Sequence, residues 1–294
     1  MELVWLEDFL ALAETRNFSR AAEARNVTQP AFSRRIRALE AWLGAEMFER
    51  GPRGVTLTPA GEHALAQTGE TVRRIHDLRR EVRAIAGREA QAVRFACTHA
   101  LSFTFFPAWI RSRAEGVGAI RLISDNMAAC DHVMRRGDAE FLLCHHDPEL
   151  PELFEANRFQ SVVVGEDRIA PFSAPDESGR PKWPLRAAPG APIRLLSYSE
   201  QSGIGRIVAA RWQARDARPV FTAHLAATLL SMACAGEGVA WLSLELAEDA
   251  VAEGRLVPAA ERDVTIEVEI RLYRAAGRLA PAAEAFWASL EQDG

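Results

Sequence analysis

The sequence predicts an α/β chain with a separate helical head at its N-terminus. Two short helical stretches are joined by a tight turn within Asn17–Glu40, and an apolar seam recurs every three or four residues from Leu65 to Ile85. From Val93 onward, strand and helix patterns alternate, as they do in domains built on a parallel sheet. At 294 residues the chain has room for two or three domains, each with its own core.

Composition narrows the function. With 48% hydrophobic and 26% charged residues, this is an ordinary globular composition. No apolar run approaches the roughly 18 to 20 residues of a membrane span, and MELVWLEDFL lacks a basic region ahead of an apolar stretch, so a cytoplasmic protein with no membrane partner is expected. Net charge is -5, so any nucleic-acid contact must come from a local basic patch. Of the 35 basic residues only Lys182 is lysine, a bias consistent with codon usage. Cys97, Cys130, Cys144 and Cys234 are widely spaced and form no CxxC pair, which reads as free thiols in a reducing compartment.

In the head, Leu3, Leu6, Phe9, Leu10 and Ala13 give an amphipathic first helix to Glu14. Asn17-Phe18-Ser19 restarts the chain, with Ser19 expected as N-cap, Phe18 as a staple, and Ala21, Ala22 and Ala24 keeping the second helix slim. After the Asn26-Val27-Thr28 turn, Thr28 is the expected cap and Pro30 lies in the tolerated first turn. Phe32, Ile36 and Leu39 then face the core, which leaves Ser33, Arg34 and Arg37 outside. No acidic residue interrupts from Thr28 to Ala38. Such a face suits a major groove: backbone N–H groups and Arg meet phosphates, while Arg or Ser can read base edges.

Phe48 to Gly54 reads as a turn-rich tip and Val55 to Thr58 as a short strand, forming a wing that carries Arg50 and Arg53. Thr58 caps a long helix to about Ala86, along which Leu65, Thr68, Val72, Ile75, Leu78, Val82 and Ile85 form the seam; its regularity argues for pairing with a second copy. The composition changes at Gly87 to Ala92. Val93–Cys97, Ile120–Ser124 and Glu140–Cys144 read as strands, with helices at Leu101–Arg113 and Ala128–Arg136. From about Val162 similar units follow: a strand at Arg194–Tyr198, a helix at Gly205–Gln213, a segment at Ala226–Ala235, and a strand at Gly238–Leu242. Val264–Leu272 alternates, and a helix at Pro281–Glu291 closes the chain. Ser173 to Pro192 reads as a surface loop.

The whole chain resembles the LysR-type transcriptional regulators. The likeness is carried by Phe9-Leu10, Asn17-Phe18-Ser19, Ala21-Ala22, Thr28 through Ser33, Ile36 through Glu40, Leu43-Gly44, Phe48-Glu49-Arg50 and Leu57 through Gly61. It implies a winged helix-turn-helix DNA-binding domain over residues 1–58, a linker and dimerisation helix over 59–90, and a two-lobed α/β effector domain of the periplasmic-binding-protein type. Lobe 1 would span 91–163, completed by 267–294, and lobe 2 would span 164–266, with strands crossing near Val162–Glu166 and Val264–Leu272. Double-stranded promoter DNA, a small-molecule effector and a homodimer that pairs into a homotetramer are the implied partners. On matching positions, DNA contact falls to Gln29, Pro30, Ser33, Arg34, Arg37, Arg50 and Arg53. Within the family, the chain resembles a hypochlorite-responsive subgroup most, at Trp5, Asp8 through Leu10, His99, His146-Asp147, Tyr198-Ser199 and Phe286-Trp287 among others, which raises oxidative or reactive-chlorine stress as a theme.

Ligands of open α/β sheets bind beyond the carboxyl ends of strands. Thr98, His99 and Ser102 follow the first effector-domain strand, His146 the third, and Ser199 and Ser202 the strand ending at Tyr198. These six are the expected effector-binding residues for a small polar or anionic ligand. Cys144-His145-His146-Asp147 invites a metal reading, but neighbours on a strand point to opposite sides, so no metal or other cofactor is expected. Cys97 and Cys144 are conceivable redox sensors if their thiol pKa is lowered, and Met47, Met127, Met134 and Met232 are conceivable oxidation targets, though packing is the plainer role for them. Other readings are a metabolic regulator sensing a small anion, and an enzyme or solute-binding protein with an accessory head. The chain has no GxSxG, HExxH or Walker loop, and Gly203-Ile204-Gly205 lacks the third glycine of a dinucleotide fingerprint, so no catalytic residue is assigned.

Overall fold

The computed structural model describes the chain apart from residues 52–53, 86–91, 114–116, 155, 157, 186–191, 214–215, 261–263, 278 and 293–294. It forms two compact units, Met1–Glu89 with Arg135–Gly137, and Ala90–Met134 with Asp138–Gly294.

The first unit holds α1 (Leu3–Thr15), α2 (Phe18–Ala24), α3 (Gln29–Leu43), the hairpin β1 (Phe48–Gly51) and β2 (Gly54–Leu57), and α4 (Pro59–Ile85). Leu6, Phe9, Leu12, Phe32, Ile36 and Leu39 are all buried in one core. Each contributes about 1.5–3 kcal/mol by leaving water. Capping differs from the expectation. Asn17, not Ser19, caps α2: its Oδ1 accepts from Ser19 N at 2.9 Å and Arg20 N at 3.1 Å. Asn17 is the extended residue just outside the helix, whereas Ser19 already lies within its first turn. Phe48–Gly51 is a paired strand rather than part of the tip, because Glu40 Oε1 accepts from the backbone N–H of Met47 (2.9 Å) and Phe48 (3.3 Å) and sets the hairpin against α3. Thr58 caps α4, accepting from Gly61 N at 3.0 Å and donating to Glu46 O at 2.7 Å. Gly61 is required there, since a Cβ would sit 2.1 Å from the Met47 carbonyl oxygen.

The seam on α4 divides. Val72 and Thr68 are buried and Leu65 is half-buried, so they serve the unit's own core. Ile75, Leu78 and Val82 are 37%, 60% and 56% exposed.

The second unit is built on one mixed sheet in the order β4-β3-β5-β11-β6-β9-β7-β8, with β10 (Val257–Pro258) beside β6. One half holds β3 (Ala92–Thr98), β4 (Ala119–Asp125) and β5 (Phe141–His146), with α5 (His99–Phe103), α6 (Phe106–Arg111) and α7 (Met127–Arg136). The other holds β7 (Ile193–Tyr198), β8 (Ala217–Ala223) and β9 (Val239–Ser243), with α8 (Gly203–Arg211), α9 (Ala226–Cys234) and α10 (Leu244–Ala252). The chain closes with α11 (Pro281–Gln292). Two long strands, β6 (Phe159–Ser173) and β11 (Ile266–Ala275), pass between the halves: β11 pairs with β5, and the far end of β6 pairs with β9. The expected helix Leu101–Arg113 is broken into α5 and α6: Thr104 and Phe105 keep helical backbone angles, but Pro107 has no N–H to continue the helical hydrogen bonds across them. Strand β8 and helix α10 were not expected. ARPVFTA and LELAEDAVA follow turn signals, but the first lacks clear alternation and the second runs straight out of β9, with Ser243 as both strand end and N-cap.

Where the strands cross, His145 Nε2 lies 3.0 Å from Asp167 Oδ2, both side chains nearly inaccessible. Burial pushes the Asp167 carboxyl up, but the hydrogen bond and charge of His145 and the backbone N–H groups of Arg168 and Glu245 outweigh it and hold it below its usual value. A lowered folded pKa stabilises the fold above the unfolded carboxyl pKa of about 3.9, and that contribution is lost as pH falls through the folded value. The stability advantage of wild type over Asp167→Asn, measured by urea unfolding, is therefore expected to be largest above about pH 5 and to shrink toward about pH 3. An advantage that stays constant across that range would show that the carboxylate charge contributes nothing.

Candidate nucleic-acid interface and effector cleft

The outer face of α3 is sorted by one buried carboxylate. Asp8 on α1 is fully buried and accepts from Arg25 Nε at 2.9 Å and from Arg35 Nη1 at 3.3 Å. Arg25 also pairs with Glu7, which lies 2.9 Å from His76 Nε2. Burial pushes the Glu7 carboxyl up, yet its bonds to His76 and Arg25 bring it below its usual value. Arg35 is thus committed inward, while Arg34 and Arg37 are exposed, with Arg37 Nε donating to Ser33 O at 3.3 Å. Gln29 and Pro30 are exposed and Ser33 half-buried on the same helix. Thr28 is the N-cap residue, but its side chain makes no capping hydrogen bond. That leaves the positive end of α3 open to an anion. Arg50 lies on β1 with its side chain outside the described residues, and Arg53 lies outside them altogether. The Asp8–Arg25–Arg35 network was missed; an aspartate inside an apolar first-helix stripe was the available signal.

In the second unit a cavity opens at the carboxyl ends of β3, β4, β5 and β7, lined among others by Thr98, His99, Asp125, Tyr198, Ser202 and His224. The expected residues divide. Thr98 and His99 line it, as does Ser202, whose Oγ caps α8 by accepting from Gly205 N at 3.1 Å. Ser102 supports it from behind: its Oγ accepts from Ser124 Oγ at 2.8 Å and donates to His99 O at 2.7 Å. Ser199 follows Tyr198 at the rim of the same strand end, its Oγ buried without a partner. His146 is not among the lining residues. It is buried, with Nε2 3.8 Å from Glu152 Oε1, and burial and nearby Arg271 hold its pKa below the usual value. Its neighbours Cys144 and His145 line the cavity instead. Unanticipated lining residues include His224, Tyr198 and Asp125. His224 follows β8, which was unread.

The lobes meet beside this cavity. Ala128 N donates to Gln201 O at 3.4 Å, Arg211 Nη1 lies 3.4 Å from buried Asp147 Oδ1, and a Cβ on Gly203 would touch Met127 Cβ at 3.4 Å. Three of the four thiols are buried, and the fourth, Cys234, is half-buried with Arg255 Nη1 3.3 Å from its sulfur. Burial pushes Cys97 well above its ordinary value and Cys130 up to about 12, and it raises Cys144 as well. All four cysteines are free, and a protonated buried thiol is a poor nucleophile. Met47, Met127 and Met134 are buried in cores and Met232 packs against one. Among the described residues, no three His, Cys, Asp or Glu side chains are grouped to hold a metal ion, and no helix is long and apolar enough to cross a membrane.

Residues 3–62 match the family described as "Bacterial regulatory helix-turn-helix protein, lysR family", and residues 86–294 match the "LysR substrate binding domain". The HTH-type transcriptional regulator YjiE of Escherichia coli (strain K12) is 31% identical over 296 residues, covering 99% of this chain and 95% of that protein. Among solved structures, Vibrio fischeri DarR in complex with DNA is 31% identical with a TM-score of 0.57, covering 99% of this chain and 98% of that one. Full-length HypT from Salmonella typhimurium, described as a hypochlorite-specific LysR-type transcriptional regulator, is 28% identical with a TM-score of 0.59, covering 99% and 97%. These relatives are regulators rather than enzymes. The chain belongs to the LysR family of DNA-binding transcriptional regulators.

Proposed function

We propose that the regulator reads promoter DNA with α3 in the major groove and the wing beside the backbone, as a cytoplasmic homodimer paired into a homotetramer. Gln29 and Pro30 bring the start of α3 to a phosphate, Ser33, Arg34 and Arg37 meet base edges or phosphates, and Arg50 and Arg53 follow the backbone from the wing. The domains divide at 1–58, 59–90, 91–163 with 267–294, and 164–266. The observation that carries this reading is the exposed Arg34–Arg37 face on a helix with an open N-terminus, beside an Arg35 that Asp8 holds inward. The DNA complex of DarR supports it. The exposed Ile75-Leu78-Val82 stripe is the dimer seam, since three apolar side chains in line on one helix face favour a matching helix over water.

A small polar effector bound in the cleft by Thr98, His99, Ser102, Ser199 and Ser202 would shift the population between two assemblies that present their DNA-binding heads differently. Reactive-chlorine stress is the condition this reading favours, resting on the likeness to HypT; the buried thiols do not support a cysteine switch.

Replacing Arg34 and Arg37 by Ala is expected to weaken promoter binding and lower the slope of log affinity against log salt by about 1 for each lost phosphate contact. Unchanged binding at moderate salt would reject α3 as the recognition helix. Leu78→Asp with Val82→Asp should give a monomer by sedimentation; a dimer that persists would place the seam elsewhere. In cells, promoter occupancy or transcription should change on exposure to hypochlorite, and no change in either would discard the stress role while leaving DNA binding intact.

A further inference from the structure

Two histidines from opposite lobes face each other over the cavity. His99 opens α5 and His224 lies in the turn between β8 and α9; their ring centroids are 6.0 Å apart and their planes are inclined by 38°. A chain of hydroxyls sets the tautomer of His99. Ser124 Oγ donates to Ser102 Oγ at 2.8 Å, and Ser102 Oγ donates to His99 O at 2.7 Å. Ser124 therefore accepts from His99 Nδ1–H at 3.1 Å, and Nε2 is left to take up a second proton. Two hydroxyls of the same cavity, Thr98 Oγ1 and Tyr198 OH, are buried without any hydrogen-bond partner, which is costly for groups that water or a ligand would otherwise satisfy. The start of α8 (Ser202 to Ile204) lines the cavity as well and adds the positive end of a nine-residue helix.

Building on the reading of this cleft as the effector site, we propose that its ligand is a compact oxyanion or carboxylate, bridged by the protonated imidazoles of His99 and His224, with the Thr98 and Tyr198 hydroxyls donating to its oxygens. Two charged imidazoles this close repel each other, so the second proton is taken up only when an anion lies between them. Binding is thus linked to proton uptake. The other titratable groups around the pair fit this assignment. His145 is committed to Asp167 at 3.0 Å. Burial keeps Cys144 and Tyr198 protonated, so neither opposes an anion. Asp125 Oδ1, 3.9 Å from His99 Nε2 and half-exposed at the rim, favours a proton on His99, and a bound anion is held by the two imidazoles and the hydroxyls against its charge. The space enclosed is small, which favours a ligand of few heavy atoms.

The test is calorimetric titration of the full-length protein with sodium sulfate and, separately, sodium formate, at ionic strength held constant with sodium chloride. Both probes stay ionised between about pH 5.5 and pH 8, so any pH dependence belongs to the protein, and the histidine variants assign it. Affinity is expected to fall about tenfold or more over that range, with protons taken up on binding. His99→Gln or His224→Gln should flatten the dependence in part, and the double variant should abolish it. Tyr198→Phe should weaken binding while leaving the pH slope intact. A pH-independent affinity, or no binding of either probe at about pH 5.5, overturns the clamp. Should the double variant fail to fold, the wild-type profile and Tyr198→Phe decide. Promoter binding by the same preparation separates the two readings: if DNA is bound but the anions are not, the clamp alone is lost, whereas a wild type that binds no DNA counts against the regulator itself.

Discussion

The effector domain depends on β6 and β11 serving both lobes at once. A strand that leaves one lobe must keep its backbone groups paired while it enters the other, because unpaired buried N–H and C=O groups are costly. The register shows how this is done: β11 stays paired with β6 along nearly its whole length, and each lobe then adds its own strand, β5 on one side and β9 on the other. The single irregularity of the β6–β11 ladder falls at Ile270/Arg271, close to Gly165, where a Cβ would meet the Phe105 ring at 2.8 Å. The buried His145–Asp167 pair lies at the same crossing. It joins β5 to β6 by a bond whose partners have no access to water, so relative movement of the lobes has to be absorbed in the strands around it and not by breaking it.

In the DNA-binding unit, the comparable constraint is Asp8. A carboxylate with no exposure is tolerable only when its oxygens are occupied, and Arg25 and Arg35 occupy both. This ties α1 to the α2–α3 turn and to the middle of α3, and it separates three neighbouring arginines into one held inward and two exposed. Periodicity could place Arg34 and Arg37 outside because Phe32, Ile36 and Leu39 define the buried stripe. It could not assign Arg35, whose position on the helix borders both faces.

How far the sequence was legible follows the same logic. Elements with a strong local signature were readable: the alanine-slim α2, Pro30 in the first turn of α3, the Thr58 cap, and the alternation of β11. What could not be read depended on partners distant in sequence. Phe48–Gly51 is a strand because Glu40 fixes the backbone before it; β8 is a strand because β7 offers an edge. At the cleft, the strand ends could be placed from sequence but not the partners of each side chain: Cys144 and His145 line the cavity, whereas His146 lies beside Glu152, distant in sequence. His224 was invisible for want of β8.

The chemistry of the cleft narrows what kind of signal it can receive. A thiol switch requires a thiolate that an oxidant can reach, and burial holds Cys97, Cys130 and Cys144 in the protonated form inside the lobe core. The groups left unsatisfied at the cavity are the Thr98 and Tyr198 hydroxyls, which form hydrogen bonds reversibly. Such a site favours equilibrium binding over covalent modification. The lobe contacts alongside it, Ala128 to Gln201 and Arg211 to Asp147, are of the same reversible kind. A ligand that satisfies residues of both lobes therefore adds to contacts that already close the cleft, so its binding energy is spent on holding one arrangement of the lobes rather than creating a new one.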